Sequence, residues 1–126
     1  MLCSIVIVCK NNLAEVKLTL SSVLVDKNFS KLCECIIVDD SHKDEIEKYI
    51  KFTKFDNIAY FRGDRKSLYS AMNIGIEKSI GKYVWFLNSG DRKISSHFCF
   101  FLTIISFKLW AEPIILNDLG KLKLPM

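Results

Sequence analysis

Three largely apolar runs in this chain stop abruptly on short polar tips, and that repeated pattern restricts the fold more than any other feature. Residues 2–9 (LCSIVIVC) end at Lys10-Asn11-Asn12, residues 33–38 (CECIIV) at Asp39-Asp40-Ser41, and residues 83–87 (YVWFL) at Asn88-Ser89-Gly90-Asp91. Runs so rich in β-branched and aromatic residues suit strands covered on both faces, as in a parallel sheet. A shorter strand is expected at residues 57–61.

Between the runs the apolar period changes to that of a helix. Leu13, Val16, Leu20, Val23 and Leu24 recur at three and four, with Asn11 or Asn12 placed to cap them. Residues 26–31 read as a polar break. A short, charged helix over residues 43–53 turns Ile46, Tyr49 and Ile50 inward; Ser41 is placed to cap it, with Asp44 and Glu45 in its first turn where the helix dipole favours negative charge. A third helix carries Leu68, Ala71, Met72, Gly75, Ile76 and Ser79 on one stripe, its small residues permitting close approach to the sheet, and Gly81 is expected to end it. This β-α-β-α-β-α-β order predicts an α/β fold: an open, mostly parallel sheet with all three tips on one edge. Ligands of such sheets bind beyond the carboxyl ends of the strands.

The tips carry chemistry suited to a phosphorylated ligand. Asp91 is a hard oxygen donor of the kind that holds a divalent cation. Asp39 and Asp40 repel one another, and donors such as a ribose hydroxyl or a uracil N–H would relieve that repulsion. The loop Gly63-Asp64-Arg65-Lys66 presents cations either to a diphosphate or simply to solvent.

The chain's 126 residues and net charge of +4 fit a single domain, and no Lys/Arg block forms a nucleic-acid stripe. Five cysteines, at 3, 9, 33, 35 and 99, with no visible signal peptide, predict buried reduced thiols and a cytoplasmic setting. Cys33 and Cys35 share a strand face without a clear set of further metal ligands, and His42 and His97 read as incidental. The apolar segment 98–107 is about half the ~20 residues needed to span a bilayer, which favours a buried helix.

In order and spacing, residues 4–11 (SIVIVCKN), 34–41 (ECIIVDDS), 68–73 (LYSAMN) and 86–91 (FLNSGD) resemble the blocks of the family 2 inverting glycosyltransferases of the GT-A fold, especially bacterial polysaccharide and lipopolysaccharide enzymes. The resemblance implies a Rossmann-like nucleotide-sugar-binding core over residues 1–92, with residues 93–126 a partial continuation of one domain, 1–126, that stops after the DxD region. It implies Val8 and Asn11 against the base and ribose of a UDP-sugar, Asp39 and Asp40 with neighbouring Ser41 at the uracil or ribose, and Asn88 and Ser89 near the ribose and phosphate. Asp91, at the DxD position, would hold Mg or Mn bridging the diphosphate and offsetting charge on the leaving group. The implied acceptor is a glycan or a lipid-linked sugar.

Two departures qualify the resemblance. Members commonly read Gly-Ile-Tyr-Asp-Ala-Met-Asn where this chain reads Ser67-Leu68-Tyr69-Ser70-Ala71-Met72-Asn73, so Ser70 replaces an acidic group. The family's domain also usually continues for about another hundred residues, which supply the acceptor pocket and the carboxylate that deprotonates the acceptor. Here residues 95–108 read as a helix, 112–116 as a strand that Pro113 confines to an edge or a strand start, 117–120 as a turn before 121–124. Glu112 and Asp118, the only later acids, suit the surface, so no catalytic base is assigned. The alternative to a transferase is a catalytically silent nucleotide-binding or interaction module. An apolar face left without further chain to cover it is expected to favour self-association or peripheral adhesion to the inner membrane. A receiver-like or dinucleotide-binding domain fits poorly, because no G-x-G-x-x-G follows the first strand.

Overall fold

The computed structural model of the chain describes residues 2–24, 29–89 and 114–116. Its strands form one sheet in the order β3-β2-β1-β4-β5. β1 (Cys3–Cys9), β2 (Cys33–Asp39), β3 (Ile58–Arg62) and β4 (Tyr83–Asn88) are parallel, while β5 (Ile114–Leu116) runs antiparallel to β4 at the edge. The edge position accords with Pro113, whose missing N–H cannot serve a central ladder.

The most apolar run, β1, takes the centre. Ile5 and Ile7 point to one face, where α1 (Leu13–Leu24) brings Val16, Leu20 and Val23 and α3 (Glu45–Thr53) brings Ile46 and Ile50. Val6 points to the other, where α4 (Leu68–Lys78) packs Ala71 and Ile76 with Ile36, Val38, Val84 and Phe86. The sheet is therefore covered by helices on both faces, as the unbroken apolar strands require. α4 sits close because of Gly75: a Cβ there would lie 2.3 Å from Val6 Cγ1.

The four described cysteines, Cys3, Cys9, Cys33 and Cys35, are free and buried in the α1/α3 face. They act as small core hydrophobes. Burial raises the Cys35 thiol well above its ordinary value, as do the neighbouring charge of Glu34 and the other thiols.

Several local expectations are revised. The polar break after α1 contains, at its end, a helical turn, α2 (Phe29–Leu32), that leads directly into β2. Asn12 rather than Asn11 caps α1, its Oδ1 accepting from Glu15 N at 3.1 Å. Ser41 does not cap α3; the helix starts two residues later than expected, with Asp44 at the cap position and no side-chain cap bond. Gly81 does not cap α4 either. That helix ends at Lys78, and a Cβ on Gly81 would come within 2.5 Å of Ser4 N, so this glycine is required by contact with β1. Leu68 is 54% exposed instead of lying on the buried stripe. The expectations for residues 95–108, 117–120 and 121–124, and for Asp91, His97, Cys99, Glu112 and Asp118, lie outside the described residues. Among the described residues no helix is long and apolar enough to cross a membrane.

Candidate functional site

Strand register brings the polar tips level. Cys9 is opposite Asp39, and Val8 is opposite Asn88, so the chain leaves β1, β2 and β4 at one height on one edge. The Asp40 N–H donates to the Cys9 carbonyl at 2.9 Å and the Ser89 N–H to the Val8 carbonyl at 3.4 Å, tying both neighbouring tips to β1. Val8, Asp40 and Ser89 are thereby brought together; Asn88 joins them by its backbone position.

The two adjacent carboxylates face different surroundings. Asp39 has no exposed surface, and its oxygens are satisfied from within the protein. Its Oδ2 accepts from the Tyr60 hydroxyl at 2.6 Å and from Arg62 Nη1 at 3.1 Å; its Oδ1 accepts from Ser41 N at 2.9 Å. The donors that the paired carboxylates call for thus exist on β3 and in the backbone, and Asp39 needs none from a ligand. Burial, followed by the bond to Asp39, raises the Tyr60 phenol well above its ordinary value, so the hydroxyl stays protonated and donates.

Asp40 is 7% exposed and lines a crevice of about 260 Å³. One wall of that crevice is the β1 tip, with Val8, Cys9 and Lys10; the other is Arg65, Lys66, Ser67 and Leu68, leading into α4. Asp40 Oδ1 accepts from Arg65 N at 3.3 Å. The chain can turn there because Arg65 adopts φ 59°, and because Gly63 leaves room: a Cβ on Gly63 would lie 1.7 Å from Asp40 Oδ1. Ser67 caps α4 by accepting from Ser70 N at 3.0 Å.

One carboxylate therefore shares its crevice with Lys10, Arg65 and Lys66 and with the positive end of a helix dipole. Such a site can accept hydrogen bonds from a neutral polar ring or sugar at Asp40 while attracting phosphates to its cationic wall. Arg65 Nη1 lies 2.9 Å from His42 Nδ1. A guanidinium only donates, so this ring nitrogen is the acceptor in that contact.

Asn11 stands at the same edge in a left-handed conformation, φ 56°. Its N–H donates to Ser41 Oγ at 2.6 Å, and its Oδ1 accepts from His42 N at 3.1 Å. Ser41 is 2% exposed, which commits its hydroxyl to this lock between the β1 and β2 tips. Ser70, found where an acidic residue is expected, is 4% exposed and donates its hydroxyl to Asp64 Oδ2. That bond, reinforced by Lys66 N, holds the Asp64 carboxyl below its ordinary range. A carboxylate from the preceding loop is thus in contact with the side chain that replaces one.

Nothing in the sequence marks Tyr60 or Arg62 as functional, and Gly63 reads only as the start of a loop. Period-2 alternation puts Tyr60 and Arg62 on one face of β3, but only the pairing of Asp39 with Arg62 reveals what that face meets. Cys9 is also at the crevice, with its thiol 3.6 Å from the Val38 carbonyl and 3.9 Å from Asp39 Oδ1. Burial, then the charges of Asp39 and Asp40, raises this thiol far above the range of a reactive cysteine. Among the described residues no group of three or more His, Cys, Asp or Glu side chains is arranged to hold a metal.

Comparison with known proteins bears on the family and the fold. The sequence pattern of the family described as "Glycosyl transferase family 2" matches residues 4–91. A Rickettsia bellii protein described as an uncharacterized glycosyltransferase is 44% identical over 59 residues, covering 46% of this chain and 9% of that protein. One from Rickettsia felis is 39% identical over 75 residues, covering 57% and 12%. The chain thus spans about a tenth of the length of the curated relatives it matches. The crystal structure of S. aureus TarS 1-349 in complex with UDP-GlcNAc superposes with a TM-score of 0.74 at 18% identity, covering 85% of this chain and 32% of that one, a likeness of fold. The crystal structure of GalNAc-T7 with UDP, GalNAc and Mn2+ superposes with a TM-score of 0.60 at 28% identity, covering 70% and 17%.

Proposed function

Because the chain belongs to glycosyl transferase family 2, we propose that its crevice binds the nucleotide of a UDP-sugar whose sugar is transferred, with inversion, to a glycan or lipid-linked acceptor in cell-surface polysaccharide assembly. The observation that carries this reading is the pairing, in one crevice, of a nearly buried carboxylate with a cationic wall and a helix N-terminus. Asp40 accepts from the uracil or ribose, Val8 and Asn11 border the base and ribose, and Lys10, Arg65 and Lys66 face the diphosphate. Asn88 and Ser89 lie toward the ribose and phosphate. Asp39 and Ser41 contribute by holding the neighbouring tips in place. Solved structures of similar fold bound to UDP-GlcNAc, or to UDP with Mn2+, support the ligand class.

A hard divalent cation, Mg or Mn, would offset charge developing on the departing nucleoside diphosphate. The described residues supply no metal cluster of their own; Asp91, outside them, is the ligand we assign to it. A nucleotide-binding module without transfer is the rival reading, favoured by Ser70, a hydroxyl in place of the acidic group common in the family.

Calorimetric titration with UDP and Mn tests the site. Binding that is lost in Asp40→Ala and made independent of Mn in Asp91→Ala supports the assignment; unchanged titrations in both variants defeat it. UDP release from a panel of UDP-sugars then separates a transferase from a binding module.

A further inference from the structure

We propose that Tyr60 and Arg62 on β3 are positioning residues for the nucleotide crevice, acting through the buried carboxylate of Asp39. This rests on the nucleotide reading for its consequence, although the lock itself is a property of the free protein.

Neither side chain lines the crevice. Both converge instead on Asp39 Oδ2, Tyr60 OH at 2.6 Å and Arg62 Nη1 at 3.1 Å. The same Arg62 nitrogen reaches the Lys43 carbonyl at 3.1 Å and the Tyr60 oxygen at 3.4 Å, so the loop that follows β2 is bound into the group. Asp39 Oδ1 meanwhile accepts from Ser41 N, and Ser41 Oγ accepts from Asn11 N. A continuous chain of hydrogen bonds therefore runs from the edge strand β3, through β2, to the left-handed residue at the tip of β1.

Asp39 and Asp40 are consecutive, so fixing one carboxylate on the β3 side directs the other into the crevice. Pairing Asp39 with the Arg62 guanidinium and a hydrogen bond from the Tyr60 phenol also reduces its repulsion of Asp40 and leaves Asp40 as the carboxylate open to a ligand. An unpaired charge at the site of Asp39, with no exposed surface, would be costly; the tip would rearrange before tolerating it. Tyr60 and Arg62 thereby set the shape of the binding wall without touching what binds there.

The test uses the whole chain with the Tyr60→Phe, Arg62→Lys and Arg62→Met substitutions. Amide hydrogen exchange in the free protein reads the lock, and calorimetry with UDP reads its consequence. Tyr60→Phe is expected to speed exchange at Ser41 and Asn11 about tenfold relative to Val84 in β4, and to weaken UDP about tenfold. Arg62→Lys, which keeps the charge, should retain most of the affinity that Arg62→Met loses. If these variants lower stability while the Ser41 and Asn11 amides and the UDP affinity keep their wild-type values, the positioning role is wrong. If exchange responds as expected but the wild-type chain binds no UDP, the lock stands and the nucleotide reading falls.

Discussion

Gly63 offers the sharpest test of the crevice geometry, because it is a steric demand made by one atom of the proposed binding group. A methyl at this position would lie 1.7 Å from Asp40 Oδ1 and 2.8 Å from Asp40 Cγ. Ordinary contacts begin at about 3.4 Å, so in Gly63→Ala the carboxylate oxygen must swing by about 1.7 Å. The atom displaced belongs to a side chain, so the sheet can survive the change. The swing breaks the bond from Arg65 N, a hydrogen bond to a charged acceptor worth about 1.5–3 kcal/mol. Urea denaturation should therefore show a loss of about 1–3 kcal/mol, and UDP affinity should fall about 10–100-fold, about 1.4 kcal/mol per tenfold. A double-mutant cycle isolates the cause. In an Asp40→Ala background the clash partner is absent, and Gly63→Ala should cost little. An equal cost in both backgrounds would refute the argument and place the effect in the backbone.

Gly75→Ala should destabilise the chain by about 1–3 kcal/mol, since its methyl would meet Val6 Cγ1 at 2.3 Å in the core between α4 and β1; thermal or urea unfolding measures it. Alkylation followed by mass mapping should leave Cys3, Cys9, Cys33 and Cys35 unmodified in the folded chain and modify all four in denaturant, because each is buried, and burial also raises the Cys9 and Cys35 thiols well above their ordinary value. Asp64 is depressed below its ordinary value of 3.8 chiefly by the Ser70 hydroxyl. A depressed carboxylate contributes stability above its unfolded value that is lost as pH falls through the folded one. NMR titration should therefore show Ser70→Ala moving Asp64 upward, and the acid limb of unfolding should move to higher pH with it.

How far the sequence could be read differs between fold and site. Apart from the short turn α2, which falls in a stretch that reads as a polar break, the helices and the parallel strands of the described residues followed from side-chain pattern. Runs such as 2–9 and 83–87 can satisfy their apolar surface only between two layers, and the stripe containing Ala71, Gly75 and Ile76 has only one face to bury. Gly75's close approach was legible for the same reason. The level arrangement of Val8, Asp40 and Ser89 followed from all three tips lying at carboxyl ends of parallel strands.

Local polar choices were less legible because they depend on partners distant in the chain. Ser41 reads as a cap, yet its hydroxyl serves Asn11, 30 residues away. Gly81 reads as a helix stop, yet it is needed where β1 passes. The sequence by itself determined the layered sheet and the edge on which its tips gather, since these follow from periodicities that act within a few residues. Only the tertiary structure decided which of two adjacent aspartates is sealed and which opens to the crevice. That choice depends on which strand pairs beside β2, and it is Tyr60 and Arg62 of β3, 21 and 23 residues beyond Asp39, that bind its carboxylate.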